Sequence, residues 1–347
     1  MSLPSHIIVT HDLRSAVQDV CSRKKYSQVA VLADENTLRH CAPLLHPHLP
    51  PHKLIRVPAG EDYKHLETCS LIWQGLTDMA FDRHGLLVIL GGGVLGDMGG
   101  FCAATYKRGI DFVIVPTTLL AQVDASVGGK LAIDFNGFKN HIGVFQEPAA
   151  TIIHTDFLRT LPARELRSGF AEIIKHCIIS DAEKFAAIAG RALDDQDWDD
   201  LVRHSVAFKY SVTLRDPKES GLRKILNFGH TIGHALETWF LNNGNRIFHG
   251  EAVAAGMIAE AWLAQKHGLL TSTDLGAINR SILQVFGKIQ IPADQAGVLQ
   301  IMRQDKKNRD QKILVALPKG IGHAVWDIAV NEADVTEALG YYNSLQT

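Results

Sequence analysis

Five short runs of branched apolar residues punctuate the first half of this chain and constrain its fold more than any other feature. Ile7-Ile8-Val9, Val29-Ala30-Val31-Leu32-Ala33, Leu54-Ile55-Arg56-Val57, Leu86-Leu87-Val88-Ile89-Leu90 and Phe112-Val113-Ile114-Val115 each read as a strand, the last stopped by Pro116. They are apolar at nearly every position, whereas a strand with one wet face would alternate. Helical patterns separate them, so a parallel sheet covered on both faces is expected. After Leu161-Pro162 the character changes. To about Leu270 the periodicity is helical, with Ala-rich stretches such as Ala252-Val253-Ala254-Ala255-Gly256-Met257. One late strand, Ile313–Leu317, precedes Pro318. The expected organisation is an α/β domain over residues 1–160 and a mainly α-helical domain over 161–347.

With 347 residues the chain is long enough for two such domains. Its 46% hydrophobic and 21% charged content are those of a globular protein. A net charge of -2 excludes the basic signature of a nucleic-acid binder or a polybasic membrane anchor. The apolar run at Leu86–Leu90 is far too short to span a bilayer. Five cysteines, Cys21, Cys41, Cys69, Cys102 and Cys177, are scattered without Cys-x-x-Cys spacing. They imply reduced thiols in a cytoplasm rather than a disulfide framework. Met1–His6 does not begin a basic region followed by a long apolar core, so no signal peptide is expected.

The chemistry concentrates in three stretches. Asn227-Phe228-Gly229-His230-Thr231-Ile232-Gly233-His234-Ala235-Leu236-Glu237 sets two histidines one helical turn apart, on one face. Phe248-His249-Gly250-Glu251 adds a third, and Glu172 sits in the apolar helix pattern Ser168–Lys175. Any one histidine is an ordinary core or surface residue. Two histidines and a carboxylate with open positions are the ligand set of a catalytic zinc ion. By spacing alone His230 and His234 are both ligands, and Glu172 and His249 compete for the third position. Near the other end, Gly91-Gly92-Gly93-Val94-Leu95-Gly96-Asp97 follows a strand, opens a helix pattern and satisfies G-x-G-x-x-G. Such glycines let amides approach a pyrophosphate, though this run follows the fourth strand rather than the first; the alternative is a tight turn with close helix packing. Asp34 and Asn36 follow the second strand, where a carboxylate can take ribose hydroxyls or cap a helix. Thr117 and Thr118 follow the fifth, at a ligand-binding edge or in a turn. Arg108, Lys130, Lys139 with Asn140, Lys175, Lys209, Arg223 and Lys306-Lys307 supply cations suited to a phosphorylated, carboxylated substrate. Lys175 shares a helical face with Glu172, and Arg223 lies one turn before Asn227 and two before His230.

Together these stretches resemble the 3-dehydroquinate synthases of the sugar phosphate cyclase family. The resemblance runs from Gly60-Glu61-Asp62-Tyr63-Lys64 through Gly91–Asp97, Pro116–Lys130, Lys139-Asn140, Leu161–Glu165 and Ser168–Glu172 to Leu226–His230, His249–Glu251 and Asp305-Lys306-Lys307. It implies a Rossmann-like nucleotide-binding domain and a helical domain with the active site in the cleft between them. It implies Glu172, His230 and His249 as ligands of Zn2+ or Co2+, which moves His234 to the substrate site. It implies NAD+ at Asp34, Asn36, Glu61, Lys64, Gly93, Asp97, Thr117, Thr118, Asp124, Lys130, Lys139, Phe157 and Thr160. Substrate falls to Lys130, Asn140, Lys175, Lys209, Arg223, Asn227, His234 and Lys306 or Lys307. Arg108 resembles an arginine that reaches the partner subunit's site in a homodimer.

The expected activity is conversion of 3-deoxy-D-arabino-heptulosonate 7-phosphate to 3-dehydroquinate and phosphate, in aromatic amino acid biosynthesis. One feature departs from the family pattern. Leu131-Ala132-Ile133-Asp134-Phe135-Asn136-Gly137-Phe138 replaces the common Thr-Gly-Val-Asn-His-Pro-Leu-Gly and reads as an altered loop of unchanged length. It keeps open one rival, a cyclase of another sugar phosphate; a second, a metal-dependent alcohol or glycerol dehydrogenase, shares the expected two-domain layout.

Overall fold

The computed structural model describes residues 3–292, 295–303 and 312–346. The expected substrate lysines Lys306 and Lys307 lie outside the described residues. The chain divides into two compact units, Met1–Pro162 with Val202–Tyr210, and Ala163–Leu201 with Ser211–Thr347.

The first unit begins β1 (Ile7–Val9), α1 (Leu13–Ser22), β2 (Val29–Asp34), α2 (Glu35–His40), α3 (Ala42–Leu45) and β3 (Lys53–Val57). It continues α4 (Leu66–Asp78), β4 (Leu86–Gly91), α5 (Gly93–Thr105), β5 (Asp111–Pro116), β6 (Lys130–Phe135), β7 (Phe138–Phe145) and β8 (Ala150–Ile153). Among the described residues, six of these strands form a parallel sheet in the order β1-β8-β5-β4-β2-β3. Alternate residues feed two cores. Leu32, Ile89 and Ile114 point to the face covered by α4 and α5; Val31, Val88 and Val113 point to the face covered by α1. Both faces of the central strands β2, β4 and β5 are dry, which is why those runs are apolar throughout, whereas the edge strand β3 buries Ile55 and Val57 and exposes Leu54 and Arg56.

The sixth strand, β8, carries only four residues and was not among the five expected. Leu131–Phe138 is not a loop. It is β6, a two-residue turn and the start of β7, paired in register Leu131↔Val144 and Ile133↔Ile142. The turn residues Asn136 (φ 50°) and Gly137 (φ 78°) both adopt the left-handed conformation that a tight hairpin requires. Leu131 and Ile133 are buried against the core under α5. Asn-Gly between apolar alternations is the local signal for such a hairpin.

The second unit holds α6 (Ala163–Ser180), α7 (Ala182–Ile188), the two ends of α8 (Trp198–Arg215), α9 (His230–Asn242), α10 (His249–Lys266), α11 (Ser272–Phe286) and α12 (Ala296–Arg303). β9 (Ile313–Pro318), β10 (Ala324–Val330) and α13 (Glu332–Ser344) follow. The helical region thus extends past Leu270, and the late strand is half of an antiparallel hairpin. Nearly every side of α10 is buried, as a central helix requires, and α6, α9, α11 and α13 all contact it. Glycines bring α9 against it. A Cβ on Gly256 would stand 2.0 Å from the Gly229 carbonyl oxygen, and one on Gly233 would stand 3.0 Å from that of Ala252.

Gly256→Ala therefore meets backbone that cannot rotate away, and should destabilise by about 1–3 kcal/mol or more. Gly96→Ala, whose Cβ would find its nearest neighbour at 4.0 Å, should be neutral or slightly stabilising through helix propensity. Urea unfolding midpoints of the two variants check the contrast.

Candidate active site

In the second unit, Glu172 occupies the middle of α6 with Phe170, Ala171, Ile173 and Ile174 all buried beside it, and its own side chain is fully buried. Burial alone would raise its pKa. The charge of Lys175, one turn along the helix and ion-paired with it, then His230 and His249, hold it well below the usual carboxylate range. His230 begins α9 and His249 begins α10. Their Nε2 atoms lie 3.3 Å and 3.4 Å from the same oxygen, Glu172 Oε1. Ligands bound at about 2.05 Å to the corners of a tetrahedron stand roughly 3.3 Å apart, so these separations suit one shared ion. The three ligand atoms all lie within 4.8 Å of one another.

The far nitrogens of both rings are held. His230 Nδ1 donates to the Phe228 carbonyl at 3.1 Å, and His249 Nδ1 donates to Glu237 Oε2 at 3.3 Å. An acceptor on Nδ1 fixes the proton there and aims the Nε2 lone pair inward, as metal-binding histidines require. His249 is desolvated, which lowers its pKa, but the carboxylates of Glu172 and Glu237 outweigh this and raise it to about 9. The donor set of one carboxylate and two imidazoles fits a divalent zinc-like ion. His234 is exposed, its ring centroid 5.1 Å from that of His230 and 5.8 Å from that of His249. Glu237 was not expected in the site, although its i+3 spacing from His234 could have flagged it. Glu251 is no ligand. It clasps Arg164 through contacts of 2.7 and 2.8 Å and accepts the Phe248 amide.

Arg223 and Asn227 belong to a 3-10 turn, Leu222–Asn227, and Gly229 (φ 78°) separates that turn from α9. The helical spacing assumed from Arg223 to His230 therefore does not exist. A different device places Arg223. The carboxylate of Asp216 accepts the amides of Ser220, Gly221 and Arg223 at 2.9, 2.7 and 3.0 Å, folding the loop around itself. Arg223 Nη1 donates to Pro217 O at 2.9 Å, and Asn227 Nδ2 donates to Glu219 Oε1 at 2.9 Å. Lys175 Nζ donates to Leu226 O at 2.8 Å. Asp216 and Glu219 lie in Asp-Pro-Lys-Glu-Ser-Gly, a run of turn-forming residues.

In the first unit, β2 has β3 on one side and β4 on the other, so the chain reverses its winding there and opens a crevice at the strand ends. Asp34 and the Gly91-Gly92-Gly93 turn end these two strands. Gly92 begins α5 with no side-chain cap, and a Cβ on Gly92 would stand 3.0 Å from Thr118 Cγ2. A glycine turn with uncapped helix amides suits a pyrophosphate. Asp34 caps α2, its Oδ1 taking the Thr37 amide at 2.8 Å, while Asn36 is exposed on that helix. Burial raises the Cys41 thiol to about 11; Thr117 is buried and Thr160 exposed. The ring of Phe157 is buried in the core.

Buried Lys64 joins Asp97 Oδ2 at 2.7 Å to Asn140 Oδ1 at 2.6 Å. Asn140 is carried there by the hairpin, in left-handed conformation (φ 50°). Lys209 pairs with Asp124 at 2.6 Å, and Lys139 lies 3.9 Å from Glu61. Lys130 is exposed at the start of β6. Arg108 stands apart: α5 carries the chain from the crevice to the opposite ends of the strands, about 20 Å for its 13 residues, and Arg108 is exposed there at φ 65°.

Residues 54–168 match the family described as 3-dehydroquinate synthase N-terminal, and residues 169–308 the one described as 3-dehydroquinate synthase C-terminal. The 3-dehydroquinate synthase of Parabacteroides distasonis is 39% identical over 342 residues, covering 97% of each chain. The chain belongs to the 3-dehydroquinate synthase family. The synthase of Syntrophotalea carbinolica is 44% identical, over 83% of this chain and 80% of its own. The solved 2-epi-5-epi-valiolone synthase of Streptomyces hygroscopicus, with NAD+ and Zn2+ bound, is 27% identical with a TM-score of 0.85, covering 99% of this chain and 98% of its own.

The Asp216 cage makes a pH prediction. Burial would raise its pKa, but the amides of Gly221, Arg223 and Ser220 bring it down to about 2 from 3.8. A folded pKa below the unfolded one stabilises above pH ~4, and the contribution is lost as pH falls through about 2. Asp216→Asn should flatten the pH dependence of the urea midpoint in that window; an unchanged slope would show that the cage carries no such linkage.

Proposed function

We infer that this chain catalyses the 3-dehydroquinate synthase reaction, converting 3-deoxy-D-arabino-heptulosonate 7-phosphate to 3-dehydroquinate and phosphate with NAD+ and a divalent metal, Zn2+ or Co2+. The observation that carries this is the triad Glu172, His230 and His249 at metal-ligand separations, in a chain 39% identical to a named synthase from end to end. The reaction has no net redox change. A ring alcohol is oxidised, phosphate leaves by β-elimination, the carbonyl is reduced again, the ring opens, and an intramolecular aldol closes the carbocycle.

Glu172, His230 and His249 would hold the ion; the crevice of Asp34, Gly93, Thr117 and Thr118 would hold NAD+, with Asn36, Glu61, Lys64, Asp97, Asp124, Lys130, Lys139, Phe157 and Thr160 around it. When bound, the metal supplies acidity to a neighbouring pair of hydroxyls and NAD+ supplies a reversible hydride acceptor. The chain's own residues do the rest. Arg223, pinned by the Asp216 loop, presents a planar fork suited to the substrate carboxylate. Lys130, Asn140, Lys175, Lys209 and Asn227, with Lys306 or Lys307, orient phosphate and ring oxygens. His234, exposed one turn from His230, moves a proton near the oxidised carbon.

Arg108, at the opposite ends of the strands, is assigned to the partner subunit's site in a homodimer. The five free cysteines and the biosynthetic role assign the chain to the cytoplasm. Among the described residues, no helix is long and apolar enough to cross a membrane. The higher identity to 3-dehydroquinate synthases than to the valiolone synthase favours this substrate over another sugar phosphate.

Phosphate release from 3-deoxy-D-arabino-heptulosonate 7-phosphate should proceed for many turnovers per NAD+ without accumulating absorbance from NADH, and His249→Ala should abolish both turnover and metal retention. Absence of phosphate release would exclude this substrate, and NADH accumulating without phosphate would identify a dehydrogenase instead.

A further inference from the structure

We propose that Glu260 is a positioning residue for the metal centre: its buried carboxylate clamps the first turn of α9 and thereby sets where His230 stands against Glu172 and His249. The inference rests on the reading of those three residues as metal ligands.

Glu260 lies on α10, fully buried among Met257, Ile258, Ala259 and Ala261. A carboxylate in such a place is tolerated only where hydrogen bonds replace its lost water. Its two oxygens serve two different amides. Oε2 accepts the Gly229 N–H at 2.6 Å, and Oε1 accepts the Ile232 N–H at 3.0 Å. Gly229 is the N-cap of α9 and Ile232 its third helical residue. These are the two amides that a capping box satisfies from within a helix. Gly229 has no side chain to serve as a cap. Glu260 supplies from α10 what α9 lacks, and both its oxygens face the positive end of the helix dipole.

His230 sits between the two clamped amides. Any drift of this turn displaces its imidazole from the Glu172 oxygen 3.3 Å away. The clamp also explains the glycines. At Gly229 (φ 78°) a Cβ would stand 2.4 Å from Met257 Cγ and 3.0 Å from Val253 O. A Cβ on Gly256 would meet Gly229 O at 2.0 Å. With no Cβ at either position, the turn comes close enough for a glutamate side chain to span. The helix that provides His249 at its first residue therefore also locks the helix that provides His230, and the two ligands are indexed to one rigid element.

The test uses full-length protein, stripped of metal and titrated with Co2+, with binding read by chelator competition and by the visible ligand-field spectrum. Glu260→Gln presents an amide NH2 to a backbone N–H and so breaks one arm of the clamp. It should weaken Co2+ binding about 10–100-fold and alter the spectrum while far-UV circular dichroism stays native. His230→Ala is the control for the underlying reading. If it loses Co2+ while Glu260→Gln keeps wild-type affinity and spectrum, even with a lower unfolding temperature, Glu260 is merely structural and the proposal falls alone. If His230→Ala binds Co2+ like the wild type, the metal reading falls and takes the proposal with it. Should Glu260→Gln fail to fold, hydrogen exchange on the metal-free wild type decides: the Gly229 and Ile232 amides should exchange slowly, and loop-like exchange at both would overturn the clamp.

Discussion

Glu172 is the constraint on which the second unit depends. An ionised carboxylate in the middle of an apolar helix costs on the order of several kcal/mol unless partners compensate it. Compensation comes from Lys175 on its own helix and from imidazoles at the first residues of α9 and α10. Three helices must therefore hold their positions to within a fraction of an ångström, and the packing serves that end. Gly250 lets the start of α10 approach α6, where its amide meets Ser168 Oγ at 3.0 Å, and the Arg164–Glu251 pair fixes the same junction. Core and site are one construction, so residues far from any substrate still bear on the chemistry.

The first unit is built differently, around a glycine turn whose backbone amides suit an anion. The chain reverses its winding between β2 and β4, and the ends of these two strands deliver a carboxylate, a glycine turn and an uncapped helix N-terminus to one crevice. Buried Lys64 then ties the helix of that turn, through Asp97, to the β6–β7 hairpin, through Asn140. The hairpin is thus part of the crevice wall. The departure from the family pattern that the resemblance marked spans all of Leu131–Phe138, both faces and the turn, whereas Lys139 and Asn140, which reach polar contacts, keep their place.

Much of this was legible from residue order alone. Strands buried on both faces announce themselves as unbroken apolar runs, as β2, β4 and β5 do, and the edge strands β1 and β3 were legible too, β3 despite its exposed Arg56. β8 was too short to stand out, and the Asn136-Gly137 hairpin was read as a loop despite its turn signal. At the site, the i, i+4 pair His230 and His234 drew attention to the right helix. Spacing could not say that His249 rather than His234 stands beside Glu172, because that depends on how α10 lies on α9 and α6. Arg223 misled the helical count, since Gly229 breaks the chain's direction before His230. Glu237 was open to its i+3 spacing from His234, whereas Glu260, which holds α9 from behind, carries no local signature, because its partners are set by packing between helices.

Zinc-edge X-ray absorption on the zinc-loaded protein tests the central claim most directly. One tightly held zinc per chain, with two imidazoles and oxygen ligands at about 2.0–2.2 Å and no sulfur, is the predicted result. A sulfur shell near 2.3 Å, or a protein that retains no zinc, would contradict the assignment of Glu172, His230 and His249 as the metal centre.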